Sequence, residues 1–217
     1  MDTLIEPLTR SPRLPLLLQE LSGFVAQEAQ RRQRFYDEMS EEHKMEFING
    51  EVVVQSPAKL KHLDATHHLL RLIGTYVTVH ALGKVCSEKA LVCLTRNDYE
   101  PDIVFFGPAK AATLEPNQMK FPAPDLVVEV LSSSTQQVDR GVKFEDYAAH
   151  GVAEYWIVDA DAGSVEQYVL GAGGGYELTA RAGGAEIHSA VIRGLAIPVR
   201  AIFDEQENLR VLRAVLA

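Results

Sequence analysis

Two acidic residues stand where the chain otherwise reads as buried strand. Asp102 opens the run Ile103-Val104-Phe105-Phe106, and Glu129 sits between Val127-Val128 and Val130-Leu131. Nearly continuous apolar runs of this kind belong to strands covered on both faces. A carboxylate there costs several kcal/mol unless it is paired, protonated or bound to a cation. Strand alternation puts Asp125, Val127, Glu129 and Leu131 on one face. If the Asp102 and Glu129 strands are neighbours, both acids can converge on one divalent ion. Mg²⁺ (or Mn²⁺) is the natural candidate, since Mg²⁺ takes a few carboxylates and keeps several waters. The plainer alternative is that each acid caps a strand end or pairs with a buried arginine.

The rest of the composition sets bounds on this reading. The chain has 217 residues, 47% hydrophobic and 24% charged, which excludes gross disorder and suits one domain with or without an added arm. Two cysteines, Cys86 and Cys93, cannot make a disulfide framework. The start MDTLIEPLTRSPRLPLLLQE is a poor signal peptide, and no stretch approaches the roughly 18 apolar residues that cross a bilayer. A cytoplasmic protein with no membrane partner is expected. A formal charge of −9 argues mildly against binding nucleic acid by bulk charge. A local basic groove would still permit it.

Residues 1–12 hold two prolines and no periodicity, and read as a loose arm. From Pro15 to about Met39 the pattern is helical, with Leu17, Leu21, Phe24, Val25 and Phe35 near 3.6-residue spacing. This helix should pack on the domain or on a partner subunit. In Met45–Val54, Asn49-Gly50 is a hairpin signal. Lys61 to about Ala81 reads as a helix ended by Gly83. Strands are expected over Lys84–Ser87 continuing through Ala90–Leu94, then Asp102–Phe106 and Leu126–Leu131. A proline-rich loop, 107–124, separates the last two. A helix fits Asp139 to about His150, with Asp139 as N-cap and Gly151 as stop. Glu154–Asp159, Ser164–Leu170 and Tyr176–Leu178 are further strands. The order predicts an α/β fold with a central mixed sheet flanked by helices and an extra N-terminal helix.

Lys143 lies one turn after Asp139 and one turn before Tyr147, so the three share a helix face. A lysine there could orient an attacking water or steady developing negative charge. It could equally be a solvated lysine paired with Asp139. Other signals carry less. No pair among the seven histidines has convincing zinc-ligand spacing, Gly173-Gly174-Gly175 lacks the setting of a phosphate loop, and Ser132–Ser134 lack a nucleophile elbow. Trp156 reads as core packing next to the site.

Four segments carry a resemblance: EPDIVFF (100–106), PDLVVEVLSSST (124–135), DRGVKFEDYAAHGVAEYWIVD (139–159) and MEFINGEVVVQSP (45–57). Together they resemble the Uma family of restriction endonucleases, within the wider PD-(D/E)xK nuclease superfamily, over roughly residues 45–170. The resemblance implies a restriction-endonuclease-like fold, with residues 1–40 as arm and helix and 41–217 as the nuclease domain. Asp102 would be the PD aspartate and Glu129 the acid of the second element. Both would be metal ligands, with the Val130 carbonyl completing the shell. The superfamily lysine should stand two places after the acid, where this chain has Leu131. Lys143 matches the lysine that Uma-type sequences carry instead. Glu46 matches a recurrent acid able to reach the site, and His62 and Asp125 match recurrent residues at its edge. The implied activity is Mg²⁺-dependent cleavage of DNA, with a homodimer as the natural way for a one-site chain to cut a duplex. Two alternatives stay open: a catalytically silent binding or scaffold module on the same fold, and a metal-dependent hydrolase of a small phosphorylated molecule.

Overall fold

The computed structural model describes residues 5–39 and 43–217. Two helices come first, α1 (Ile5–Thr9) and α2 (Leu14–Glu38), followed by the hairpin β1 (Met45–Ile48) and β2 (Glu51–Val54). Next are α3 (Leu60–Val79), β3 (Lys84–Ser87), β4 (Leu91–Cys93), β5 (Asp98–Tyr99) and β6 (Ile103–Phe106). The short α4 (Pro108–Ala111) and β7 (Lys120–Phe121) lead to β8 (Leu126–Val130), α5 (Gln136–Asp139), α6 (Val142–Ala149) and β9 (Glu154–Asp159). The chain then runs through β10 (Ser164–Leu170), β11 (Tyr176–Ala182), β12 (Glu186–His188), β13 (Ala196–Pro198), α7 (Arg200–Phe203) and α8 (Glu205–Val215).

The central sheet has the order β11-β10-β9-β8-β6-β3. Only β8 and β9 in it are parallel, and the α5–α6 segment supplies the crossover that a parallel pair requires. Its strands are apolar throughout because both faces are covered. On one side Ile103, Phe105, Leu126, Val128 and Val130 pack with Leu69, Leu72, Ile73 and Val77 of α3 and with Ile202 of α7. On the other, Val104, Phe106, Val127 and Ile157 pack with Tyr147 of α6 and with Val92 and Tyr99 from a second sheet, of order β2-β1-β5-β4-β7. Trp156 belongs to the first side, with Val128 and Val158, so it is core but not beside the Glu129 side chain. Position 129 falls on the second side, with Val127.

Several local expectations are revised. The continuous strand through Lys84–Leu94 is two strands in different sheets. Glu88 and Lys89, at φ 43° and 36°, turn the chain out of one sheet and into the other. Part of the arm is helical, as α1. Its first four residues, and the arm–domain boundary at 40/41, lie outside the described residues. In α2 the buried residues are Glu28 and Phe35, while Leu21, Phe24 and Val25 of the expected stripe are exposed. The C-terminal half is the docked half. Glu28 pairs with Arg96, Arg32 makes a two-pronged contact with Asp98, and Phe35 packs on Phe47 and Leu91.

The Asn49-Gly50 turn has both residues at positive φ, as its hairpin needs. Gly83 is required for a different reason from helix termination. The left-handed residue after α3 is Ala81, whereas Gly83, at φ +139°, lies where an added Cβ would stand 2.1 Å from the Phe106 carbonyl oxygen. Gly83→Ala should therefore destabilise by about 2–4 kcal/mol, lowering the melting temperature by roughly 5–15 °C in a thermal melt. An unchanged melt would mean that the β3–β6 edge is looser than described.

Candidate active site

The antiparallel register pairs Ile103 with Val128 and Val104 with Val127, which sets Asp102 opposite Glu129 at the ends of β6 and β8. Both acids line one cleft of about 660 Å³, together with Lys44, His62, Val130, Asp139 and Lys143. Both are nearly out of solvent contact.

Lys143 is the pivot of this cleft. It enters from the first turn of α6, and its ammonium lies 2.9 Å from Glu46 Oε1, 3.0 Å from Glu129 Oε1 and 3.2 Å from Asp139 Oδ1. One cation thus joins β1, β8 and the α5–α6 junction. The reading of Asp139 as an N-cap is corrected here. Asp139 ends α5 as a buried residue, Gly141 occupies the cap of α6, and no side chain caps that helix. The Tyr147 hydroxyl donates to Glu129 Oε1 at 3.2 Å. Glu46 accepts from the Glu100 amide at 3.0 Å and from Gln55 Nε2 at 2.8 Å, which fixes it against Lys143.

Asp102 has its own partners. Lys44 donates to Oδ1 at 3.0 Å, His62 Nε2 lies 3.5 Å from the same oxygen, and the Val130 amide donates to Oδ2 at 2.8 Å. Asp125, by contrast, is at the far end of β8. There it accepts from the Gly107 amide at 2.7 Å and pairs with Lys110 at 2.8 Å. The structure therefore gathers Asp102, Glu129, Lys143, Glu46, Val130 and His62, and leaves Asp125 apart.

Sequence reasoning missed Lys44 and the placement of Asp139 among the acids. Lys44 was legible, since it stands two residues before Glu46 on the same strand segment and so shares its face.

The protonation states follow from this packing. Burial would raise the Asp102 carboxyl, but His62, Lys44 and the Val130 amide hold it well below the ordinary carboxylate range. Burial pushes Glu129 up to about 8, because Lys143 only partly offsets the desolvation and the neighbouring Asp139, Asp102 and Glu46 add to the rise. Burial also raises Asp139. Lys143 would be lowered by burial, yet Glu129, Glu46 and Asp139 lift it well above an ordinary lysine.

Four carboxylates, Glu46, Asp102, Glu129 and Asp139, thus face two ammonium groups, Lys44 and Lys143. Two buried polar atoms, His62 Nδ1 and Asp139 Oδ1, lack a hydrogen-bond partner. The second has Lys143 nearby but outside hydrogen-bond geometry. Among the described residues, no group of three or more His, Cys, Asp or Glu is arranged as a ready metal cage. The hard oxygen donors nevertheless fit a divalent cation held by two carboxylates and water, whose charge would displace the proton that the raised Glu129 carboxyl otherwise carries at neutral pH.

The fold and the cleft define a class. The chain superposes on a crystal structure from Anabaena variabilis, described as "a putative nuclease belonging to DUF820", with a TM-score of 0.66 and 19% identity, covering 78% of this chain and 94% of that one. The fold is restriction-endonuclease-like. The sequence matches the Uma2 family, described as "Putative restriction endonuclease", over residues 29–200, and the chain belongs to that family. The match extends beyond the 45–170 expected from motifs, taking in the C-terminal part of α2 and the strands β11 to β13. An uncharacterised protein of Synechocystis sp. is 28% identical over 127 residues, 58% of this chain and 71% of that one.

The raised Glu129 carboxyl has a measurable consequence. An acid whose folded pKa lies above its ordinary 4.5 weakens the fold as pH rises through the interval between the two, here from about 4.5 to about 8. In chelator, Glu129→Gln should therefore melt higher than the wild type at pH 8, each kcal/mol of relief appearing as about 2–4 °C. The gain should vanish below pH 4.5. A variant melting lower than wild type at pH 8 would show that the carboxylate is a net stabiliser.

Proposed function

We propose that this protein is a divalent-cation-dependent endonuclease that hydrolyses DNA phosphodiester bonds in the Asp102–Glu129 cleft. One observation carries the reading beyond family membership. Five of the chain's eight lysines, Lys44, Lys59, Lys61, Lys89 and Lys143, line this cleft against five acids, Glu88, Asp102, Glu129, Asp139 and Asp161, so its lining is balanced in charge although the chain as a whole carries −9. Such a concentration of lysine beside buried carboxylates suits a phosphate backbone lying over a cation.

Asp102 and Glu129 would hold Mg²⁺ or Mn²⁺, with the Val130 carbonyl as a further ligand. When bound, such an ion polarises a phosphoryl oxygen and acidifies a water. The protein's own groups do the positioning. Glu129, Glu46 and Asp139 hold the Lys143 ammonium in place and keep it protonated, so Lys143 acts as a hydrogen-bond donor to developing negative charge and not as the base. This lets it take the role of the lysine absent at Leu131. Lys44 and His62 keep Asp102 ionised. Asp125 orders the far end of β8 and takes no part.

The same reading keeps residues 1–40 as an arm and 41–217 as the nuclease domain, and gives the arm a task. The exposed half of α2 presents Leu16, Leu18, Leu21, Phe24 and Val25, and its only charged residue between 14 and 27 is Glu20. A helix face this poor in basic residues suits neither DNA nor an anionic membrane. A second copy of the chain matches it, burying the same apolar stripe in a two-fold pair that would bring two sites to one duplex.

Two measurements test this reading. In a plasmid assay with Mg²⁺ or Mn²⁺, Asp102→Asn and Glu129→Ala should abolish cleavage, and Lys143→Met should slow it by about 10²–10³-fold. Cleavage unaffected by either acid substitution would refute the site. Ion binding without cleavage by the wild type under any condition would favour the silent module. In sedimentation, the wild type should be a dimer and Leu21→Glu a folded monomer. A monomeric wild type at tens of micromolar would remove the arm's role.

A further inference from the structure

A second cavity, of about 460 Å³, adjoins the cleft, and His43, Glu88 and Lys89 line both. Its volume falls within the roughly 300–1,000 Å³ of small-molecule sites. The lining is distinctive. Met39, Met45 and Met119 all face it, so every methionine of the chain other than Met1 converges on this one cavity. Phe121 and Leu91 complete an apolar wall, while Ser87, Glu100 and Gln118 supply polar atoms at its edge. Methionine sulfur packs well on aromatic rings, and unbranched thioether chains adapt to flat ligands of differing outline.

The wall shared by the two cavities is also a sharp turn. Glu88 and Lys89 are consecutive exposed non-glycine residues at positive φ. The Glu88 amide donates to the Asp102 carbonyl at 3.1 Å, so this turn is tied to the residue that opens the proposed cation site. A strand whose phosphate lies over Asp102 would have its neighbouring base beside this opening.

We propose that the methionine-lined cavity receives an unstacked nucleobase from the nucleic acid strand whose phosphate occupies the adjoining cleft. The proposal rests on the nuclease reading and adds a reason for selectivity. The apolar wall would accept the ring's faces, and Glu100, Gln118 and Ser87 would meet its polar edge. Turning a base out of the stack costs a few kcal/mol, least at mismatched, damaged or single-stranded positions, so such sites would be preferred.

The test uses the full-length chain and a set of duplexes carrying 2-aminopurine at successive single positions, with binding followed by anisotropy and unstacking by fluorescence. The expected result is a several-fold rise in fluorescence confined to one or two adjacent positions. Ser87→Phe, which fills the cavity from its rim, should abolish the rise. Met119→Ala, at an exposed edge, should reduce it, and thermal melts of both variants should confirm that they fold. Bound duplex with no rise at any position would overturn the base pocket while leaving the nuclease reading intact, and would return the cavity to an apolar side chain of a partner protein. A rise that neither variant alters would also overturn it, since the base would be unstacked elsewhere. With Ca²⁺ replacing Mg²⁺ so that the duplex stays uncut, absence of duplex binding would overturn the nuclease reading and the pocket with it.

Discussion

The buried ammonium of Lys143 is the contact on which the cleft depends. Removing a cation and three carboxylates from water is expensive, and a pair of this kind is often no more stable than apolar residues of the same volume. The core around it shows what the fold could have used instead. The strands bearing the two acids are otherwise wholly apolar, and both faces of the sheet are sealed. Lys143 therefore does not act mainly as a stabiliser. It draws Glu46, Glu129 and Asp139, from three separate segments, to one point, where burial and mutual repulsion hold the Glu129 carboxyl far from its ordinary pKa. Stability set aside for charge geometry is the physical mark of a site.

Glu154 provides the contrast inside the same sheet. It is as deeply buried as Glu129, on the adjacent parallel strand, yet its carboxylate is saturated by neutral donors: Trp156 Nε1, Gln167 Nε2, the Ser189 hydroxyl and the amides of Ala190 and Val191. That acid ties the C-terminal segments to β9 and opens onto neither cavity. A carboxylate in an apolar strand thus marks only that something must satisfy it. What separates the two is whether backbone and hydroxyl donors do so, or a cation that three acids share.

Much of this was legible in the sequence because it depends on short-range rules. Alternation placed Glu129 with Val127, the Asn-Gly pair gave the β1–β2 turn, and helical spacing put Asp139, Lys143 and Tyr147 on one face. The pairing of the Asp102 and Glu129 strands could be posed only as a condition, since register is a long-range property. Other features were hidden for the same reason. Nothing local shows that Glu88-Lys89 carries the chain from one sheet to another, or that Asp139 is buried by elements distant in sequence. Asp125 matched the family pattern, but its distance from the cleft follows from the length of β8, which sets strand-end residues apart from one another. The helical stripe of α2 was visible. That most of its first half would stay exposed, with Phe24 touched by Arg96, was not, because periodicity reports a face and not its partner.

The claim at the centre of this account is that Asp102 and Glu129 together bind one divalent ion. Titration calorimetry with Mn²⁺ on the full chain, without nucleic acid, addresses it most directly. The account predicts one ion per chain for the wild type and loss of that binding when either Asp102 or Glu129 is replaced by its amide. Binding that survives both replacements, or a wild type that takes up no ion, would contradict it.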